Sequence, residues 1–330
     1  MRCGVARQAA RNRVRPGRCG RRARARWRTA RRTGGHGAGG GGVRYVSRIA
    51  VGPVQFRIGS DWREPVAALD RLYAAYPRDD ARPADATVRL FAARPWRRWL
   101  RPSVHIGGDF VVPDALPLPL SMGLLAAEMA MNLQVALGWR RHLLLHASAV
   151  AKGGRALIMS GESGSGKSTL AALLGEGAWR LMGDEFTLID PEDGDALAFP
   201  RAVSLKNQAI AEVAASVDAA RLGPLMTGTP KGDIRHLIPR ADAIAAMHEP
   251  ARPALLLFPR FGGETAIEPM GEGEAFVRLT EASTNYVALG EAGFAALTRL
   301  VRETPAFGIS YPDSATGIAL VEQLWVEATA

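Results

Sequence analysis

Eight consecutive residues, Gly161-Glu162-Ser163-Gly164-Ser165-Gly166-Lys167-Ser168, satisfy G-x-x-x-x-G-K-[ST] at every fixed position. These residue types in this order suit one chemistry. Glycines let the backbone curl until successive N–H groups face an anion. A helix that starts at the lysine adds the positive end of its dipole to the same place. Lys167 would neutralise the β- and γ-phosphates of a nucleoside triphosphate, and the Ser168 hydroxyl would ligate Mg²⁺. The sequence therefore predicts ATP and Mg²⁺ as cofactors, held by residues 161–168 together with Thr169.

Such a loop works only between a strand and a helix. The apolar run Leu157-Ile158-Met159 supplies the strand, within 156–160, and Lys167-Ser168-Thr169-Leu170-Ala171-Ala172-Leu173 opens a helix over 167–174. A further strand over 143–151 precedes it, across the turn Lys152-Gly153-Gly154. Downstream, 180–182 leads into Gly183-Asp184-Glu185, and 186–189 reads as another strand. Strand 254–258 and helices 291–302 and 314–328 complete a mixed α/β nucleotide-binding domain over 139–330.

Ahead of it, 43–138 reads as a small α+β section without a catalytic constellation of its own. It holds a hairpin, 45–51 and 54–58, around Gly52-Pro53, and a helix over 62–76. Two short strands follow, 85–92 and 104–112, the second carrying Gly107-Gly108 as a turn signal. An apolar helix over 120–137 starts just after Pro119. The run 116–137 that contains it is interrupted by prolines, Ser121, Glu128, Asn132 and Gln134, so it predicts a core helix rather than a bilayer span.

The net charge of +10 is unevenly distributed. Residues 1–42 hold 13 of the 42 basic residues and no acidic one, leaving 29 basic against 32 acidic residues in the rest. That segment is mostly Arg, Ala and Gly, a composition that buries too little apolar surface to offset its ordering entropy, and disorder is expected. A nucleic-acid-binding arm and a transit peptide both fit such a composition. The 38 arginines against four lysines point to G+C-rich coding and favour a third reading, translated upstream sequence with the natural start near Val43. Cys3 and Cys19 also fall there, so the rest of the chain contains no disulfide and no cysteine-based metal site. A cytoplasmic protein is expected, with no membrane partner and no nucleic-acid partner.

Three stretches together resemble the HPr kinase/phosphorylase family and its divergent HPr kinase-related serine kinase-like members. They are Leu145-His146-Ala147, 15 residues ahead of Gly161; the loop 161–168; and Arg180-Leu181-Met182-Gly183-Asp184-Glu185, whose acids lie 17 and 18 residues after Lys167. In the family these stretches read His-Gly, Gly-x-Ser-Gly-x-Gly-Lys-Ser and Arg-Leu-Val-Ala-Asp-Asp. The likeness covers about 143–190 and implies an α/β kinase fold of the type shared with phosphoenolpyruvate carboxykinase. By the same likeness Glu185 would be the general base for a serine hydroxyl, Asp184 would support the metal or the base, and His146 would sit near the γ-phosphate. Lys167 and Ser168 keep their phosphate and Mg²⁺ duties.

The resemblance implies an ATP-dependent kinase acting on an unidentified hydroxyl-bearing protein, peptide or small molecule, and a homo-oligomer. The family's Leu-Glu-Ile-Arg-Gly-Leu-Gly stretch is missing, and Phe199-Pro200-Arg201-Ala202-Val203-Ser204-Leu205-Lys206-Asn207 stands there instead. That departure leaves a non-catalytic ATP-binding switch as the alternative. Lys206, Lys231, Arg235 and His236 are further candidates for contacts with the triphosphate or the acceptor.

Overall fold

The computed structural model describes residues 43–112 and 115–330, together with Arg31–Arg32, which pair antiparallel with Phe110–Val111. The expectation of disorder for residues 1–42 otherwise lies outside the described residues. The chain is mixed α/β with several sheets.

Strands β1 (Tyr45–Val51), β2 (Val54–Ser60), β3 (Ala86–Phe91), β4 (Ser103–Gly108) and β5 (Leu118–Pro119) form one sheet in that order. The β1–β2 hairpin turns at Gly52-Pro53 as the sequence suggests. Helices α1 (Arg63–Leu72) and α2 (Gly123–Gly138) cover the sheet. On α1 the residues Val66, Leu69 and Leu72 fall on one face and are buried there, as helical spacing requires. The helical stretch Leu120–Gly138 is long and apolar enough to cross a membrane, yet most of it is buried in this core. Gly107-Gly108 does not turn the chain. Both stay within β4, where a Cβ on Gly108 would lie 1.9 Å from the Thr87 carbonyl oxygen and 2.9 Å from Gln134. The glycines permit a close approach, which sequence alone cannot separate from a turn.

The larger half contains β6 (Leu143–Leu145), β7 (Ala147–Lys152), β8 (Arg155–Ser160), α3 (Lys167–Glu176), β9 (Arg180–Gly183), β10 (Thr187–Ile189) and β11 (Ala196–Leu197). Then come β12 (Val203–Lys206), α4 (Gln208–Ala214), β13 (Met226–Thr229), β14 (Gly232–Leu237), β15 (Arg252–Phe261) and β16 (Ala266–Met270). Helices α5 (Glu272–Ala282) and α6 (Glu291–Glu303), strand β17 (Ala306–Tyr311) and helix α7 (Ser314–Thr329) close the chain. The main sheet runs β9-β7-β8-β15-β17-β16, with β8 parallel to β15, β15 parallel to β17, and the other neighbours antiparallel. Two three-stranded sheets, β11-β10-β6 and β12-β14-β13, flank it.

The single strand expected over 143–151 is two strands. They part at His146, where β6 joins one sheet and β7 another. An apolar run shows burial, and both halves are buried, but it carries no sign of a change of sheet.

Packing crosses residue 138. One apolar core joins Phe56, Leu69, Tyr73, Leu125 and Met131 to Phe186, Leu188, Phe199 and Met226. A buried polar cluster runs through the same seam. Arg201 pairs with Glu128, donates to the Asn132 side chain, and reaches the Tyr73 hydroxyl at 3.3 Å. Burial works against the Arg201 charge, but Tyr73, Glu128 and Glu185 more than offset it and hold the guanidinium above its ordinary value. Burial pushes the Tyr73 phenol up as well.

Candidate active site

Strand β8 is central in the main sheet and delivers the glycine-rich loop at its C-terminal end. Gly166 caps α3 with φ 97°, in the left-handed region, and a Cβ there would lie 2.2 Å from the Tyr311 hydroxyl. Backbone angle and crowding thus exclude a side chain together. Lys167 is 8% exposed, and its ammonium donates to the carbonyls of Gly161 at 2.7 Å and Glu162 at 2.9 Å. Burial lowers its pKa, while Asp184 and Glu185 act in the opposite direction.

Strand β9 lies on the far side of β7 from the loop strand and ends at Gly183, directly before Asp184. The Asp184 carboxylate is 2% exposed and accepts at Oδ1 from Ser148 at 2.6 Å and from Ser168 at 2.9 Å. Burial, and then repulsion from Glu185, raise its pKa against the pull of those two hydroxyls and Lys206. Its Oδ2 is buried without a hydrogen-bond partner among the described residues. A buried, unpaired carboxylate oxygen beside a serine hydroxyl is the donor pair that a phosphate-bound Mg²⁺ uses, so these residues fit that ion. Among the described residues no group of three or more His, Cys, Asp or Glu gathers into a metal cluster, and the fit rests on Ser168 and Asp184 alone.

Glu185 follows in the left-handed region, with φ 72°. Its Oε2 lies 3.6 Å from His146 Nδ1 and its Oε1 3.8 Å from Lys206 Nζ. Burial alone would raise this carboxyl. Lys206, His146, Lys231 and Arg201 overcome that and hold it below the usual carboxylate range. His146 occupies the bend between β6 and β7, and its Nδ1 lies 3.0 Å from the Glu185 carbonyl oxygen.

These groups face a cleft of about 300 Å³, lined as well by Lys206, Lys231, Phe261 and Tyr311. A second hollow of about 750 Å³ adjoins it, lined by Gly161, Glu162, Phe258, Arg278 and Thr284 and sharing His146 and Ser163 with the first. One concave region thus offers backbone N–H groups and a lysine for a polyphosphate, and a carboxylate with cations beside it.

No family model matches the chain, and no curated protein matches it. Among solved structures it is similar to the Hpr(Ser) kinase/phosphatase from Coxiella burnetii, at 11% identity over 56% of this chain and 98% of that chain. The TM-score is 0.24. A likeness of that size assigns neither a family nor an activity.

Of the residues singled out from sequence, Ser163 to Thr169, His146, Asp184 and Glu185 line the cleft, as do Lys206 and Lys231. Gly161 and Glu162 line the adjoining hollow, and their carbonyls hold Lys167. Arg235 and His236 lie elsewhere. Arg235 donates to the Gly223 carbonyl at 2.8 Å, and His236 is buried, which lowers its pKa. Ser148 was missed by sequence reasoning. It stands two residues after His146 in β7, and its hydroxyl holds Asp184. Tyr311, whose hydroxyl reaches the Ser165 carbonyl at 3.4 Å, carries no local signal at all, being 146 residues away in sequence.

Proposed function

We propose that the protein is an ATP-dependent kinase that transfers the γ-phosphoryl group to a hydroxyl, with Mg²⁺ as cofactor. The observation that carries the reading is the Ser168–Asp184–Glu185 arrangement. One carboxylate is tied to the loop serine, and the next faces the same cleft with its charge maintained by Lys206 and His146. Bound Mg²⁺, held by Ser168 and Asp184, would neutralise charge on the phosphates. The loop amides and Lys167 would bind and orient the triphosphate.

An acceptor hydroxyl entering from the adjoining hollow passes His146 and comes to Glu185. Its oxygen forms the new bond to the γ-phosphorus as the bridging bond to ADP breaks, and ADP leaves with that electron pair. Glu185 takes the hydroxyl proton. A carboxylate of low pKa suits a loose transition state in which the hydroxyl proton departs late, because orientation then matters more than basic strength. The resemblance of 143–190 to HPr kinases points the same way, toward a serine-bearing acceptor and a fold of the phosphoenolpyruvate carboxykinase type.

The test is label transfer from γ-labelled ATP, measured alongside equilibrium ATP binding. Lys167→Ala should lose binding and transfer together, whereas Glu185→Gln should keep binding and lose transfer to acceptor and to water. Binding with no turnover in the unaltered protein would favour the switch reading. Undiminished transfer in Glu185→Gln would remove Glu185 as the base.

A further inference from the structure

Between β3 and β4 the chain reads Arg94-Pro95-Trp96-Arg97-Arg98-Trp99-Leu100-Arg101, with four arginines, two tryptophans, a leucine and no acid. Trp96 is 51% exposed, Trp99 71% and Leu100 65%. The segment is not slack. It contains the 3₁₀ turn Pro95–Arg98, and the Leu100 N–H donates to the Trp96 carbonyl at 3.0 Å. Arg98 anchors it from beneath, its guanidinium donating to Asp61 at 2.8 and 3.1 Å and its carbonyl accepting from the Trp62 indole at 2.9 Å.

The Asp61 carboxylate is thereby committed to Arg98. No ion pair among the described residues involves Arg94, Arg97 or Arg101. The fold therefore fixes large apolar side chains and uncompensated positive charges on one exposed tip.

We infer that this tip is a docking surface for an anionic lipid bilayer. Tryptophans settle at the level of the headgroups, with ring edges toward the acyl chains. Arginines beside them pair with acidic headgroups, and apolar and electrostatic contacts together make the stable attachment that neither supplies alone. A single-stranded nucleic acid would need open ring faces for stacking and a cationic groove along its backbone. Here one face of Trp96 is covered by the Arg94 guanidinium, 5.2 Å from the ring centroid. Leu100 is displayed beside Trp99 and gives a base nothing to stack on. The inference departs from the sequence-based expectation of no membrane partner and does not depend on the kinase reading.

The test uses the full chain carrying Trp27→Phe, with vesicles of phosphatidylcholine and phosphatidylserine that contain brominated acyl chains. Trp62, Trp139, Trp179 and Trp325 are all buried, so quenching of emission reports Trp96 and Trp99. Quenching is the readout because the 13 arginines of residues 1–42 would also draw the chain to anionic vesicles without inserting anything. The expected result is quenching that needs phosphatidylserine, is lost in Trp96→Ala/Trp99→Ala, and is mostly lost in Arg94→Gln/Arg97→Gln/Arg101→Gln, with far-UV dichroism unchanged. Vesicle binding without quenching overturns the proposal. So does quenching by single-stranded RNA in place of vesicles, which would make the tip a nucleic-acid site.

Discussion

Two clusters of paired charges each take a member from the segment 182–201, Glu185 in one and Arg201 in the other, and they are built in contrasting ways. Arg201, Glu128, Asn132 and Tyr73 form a sealed one, with the side chains of Arg201 and Glu128 only 3% and 6% exposed and in direct contact. Glu185, His146 and Lys206 form an open one. Their separations are 3.6 and 3.8 Å, and every member is more than a quarter exposed. In the sealed cluster each charge depends on its partner, and burial keeps a ligand out even though Glu128 Oε1 has no hydrogen-bond partner among the described residues. In the open cluster solvent screens the pairs, so the groups can exchange one another for a phosphate or a hydroxyl at little cost. Proximity of opposite charges is shared by both; separation and access distinguish a buried fastening from a cluster that a ligand can reach.

The sharpest way to break the comparison is to neutralise one member of each cluster. Glu185→Gln should cut phosphoryl transfer by about 10²- to 10⁴-fold, while its unfolding free energy in urea changes by less than about 1 kcal/mol. Arg201→Met should do the reverse. Stranding Glu128 in the core should cost about 3–5 kcal/mol of stability, and the pair Arg201→Met/Glu128→Leu should recover most of that. If the single and double variants unfold at the same urea concentration, the sealed cluster is not a pair.

Acid should separate the two carboxylates of the open site. Glu185, held low, contributes stability at neutral pH that is lost only as pH falls through its depressed value, below the ordinary carboxylate range. Asp184, held high, takes up its proton earlier as pH falls, which relieves the fold but removes the charge that would hold Mg²⁺. The acid limb of Mg²⁺-dependent ATP binding should therefore lie above the ordinary carboxylate range. Glu185→Gln should move it to lower pH, since repulsion from Glu185 helps to raise Asp184. ATP titrations across a pH series check this, and a limb unmoved by the substitution would count against Asp184. The smallest effect belongs to a pair with no such role. Arg252 and Glu303, 62% and 49% exposed, meet at 2.6 Å, and Arg252→Ala should shift stability by no more than about 0.5 kcal/mol in the same urea experiment.

Much of the site was legible because its parts are local. The loop from Gly161 to Ser168, the strand before it and the helix after it sit in one stretch, where composition and periodicity act directly. The acid pair was singled out through the family resemblance of 143–190, of which its distance from Lys167 is a part. The seam between the halves was not legible. Tyr73, Glu128 and Arg201 are ordinary residues in sequence, and only the approach of α2 to the segment after β11 makes them a cluster. Ser148 and Tyr311 were illegible for the same reason, since strand pairing and close packing bring them to the loop. The break at His146 escaped because a continuous apolar run marks burial and leaves sheet membership open.

The backbone at Glu185 has a consequence for the lineage of such a protein. A φ of 72° suits glycine or asparagine, and glutamate holds it at a conformational cost. Change at this position toward either residue would ease the fold and, on the proposed reading, would remove the proton acceptor while leaving the rest of the cleft intact. On that reading selection for stability and selection for turnover pull in opposite directions at one residue, and whichever relaxes first would decide whether descendants turn over a nucleotide or only bind it.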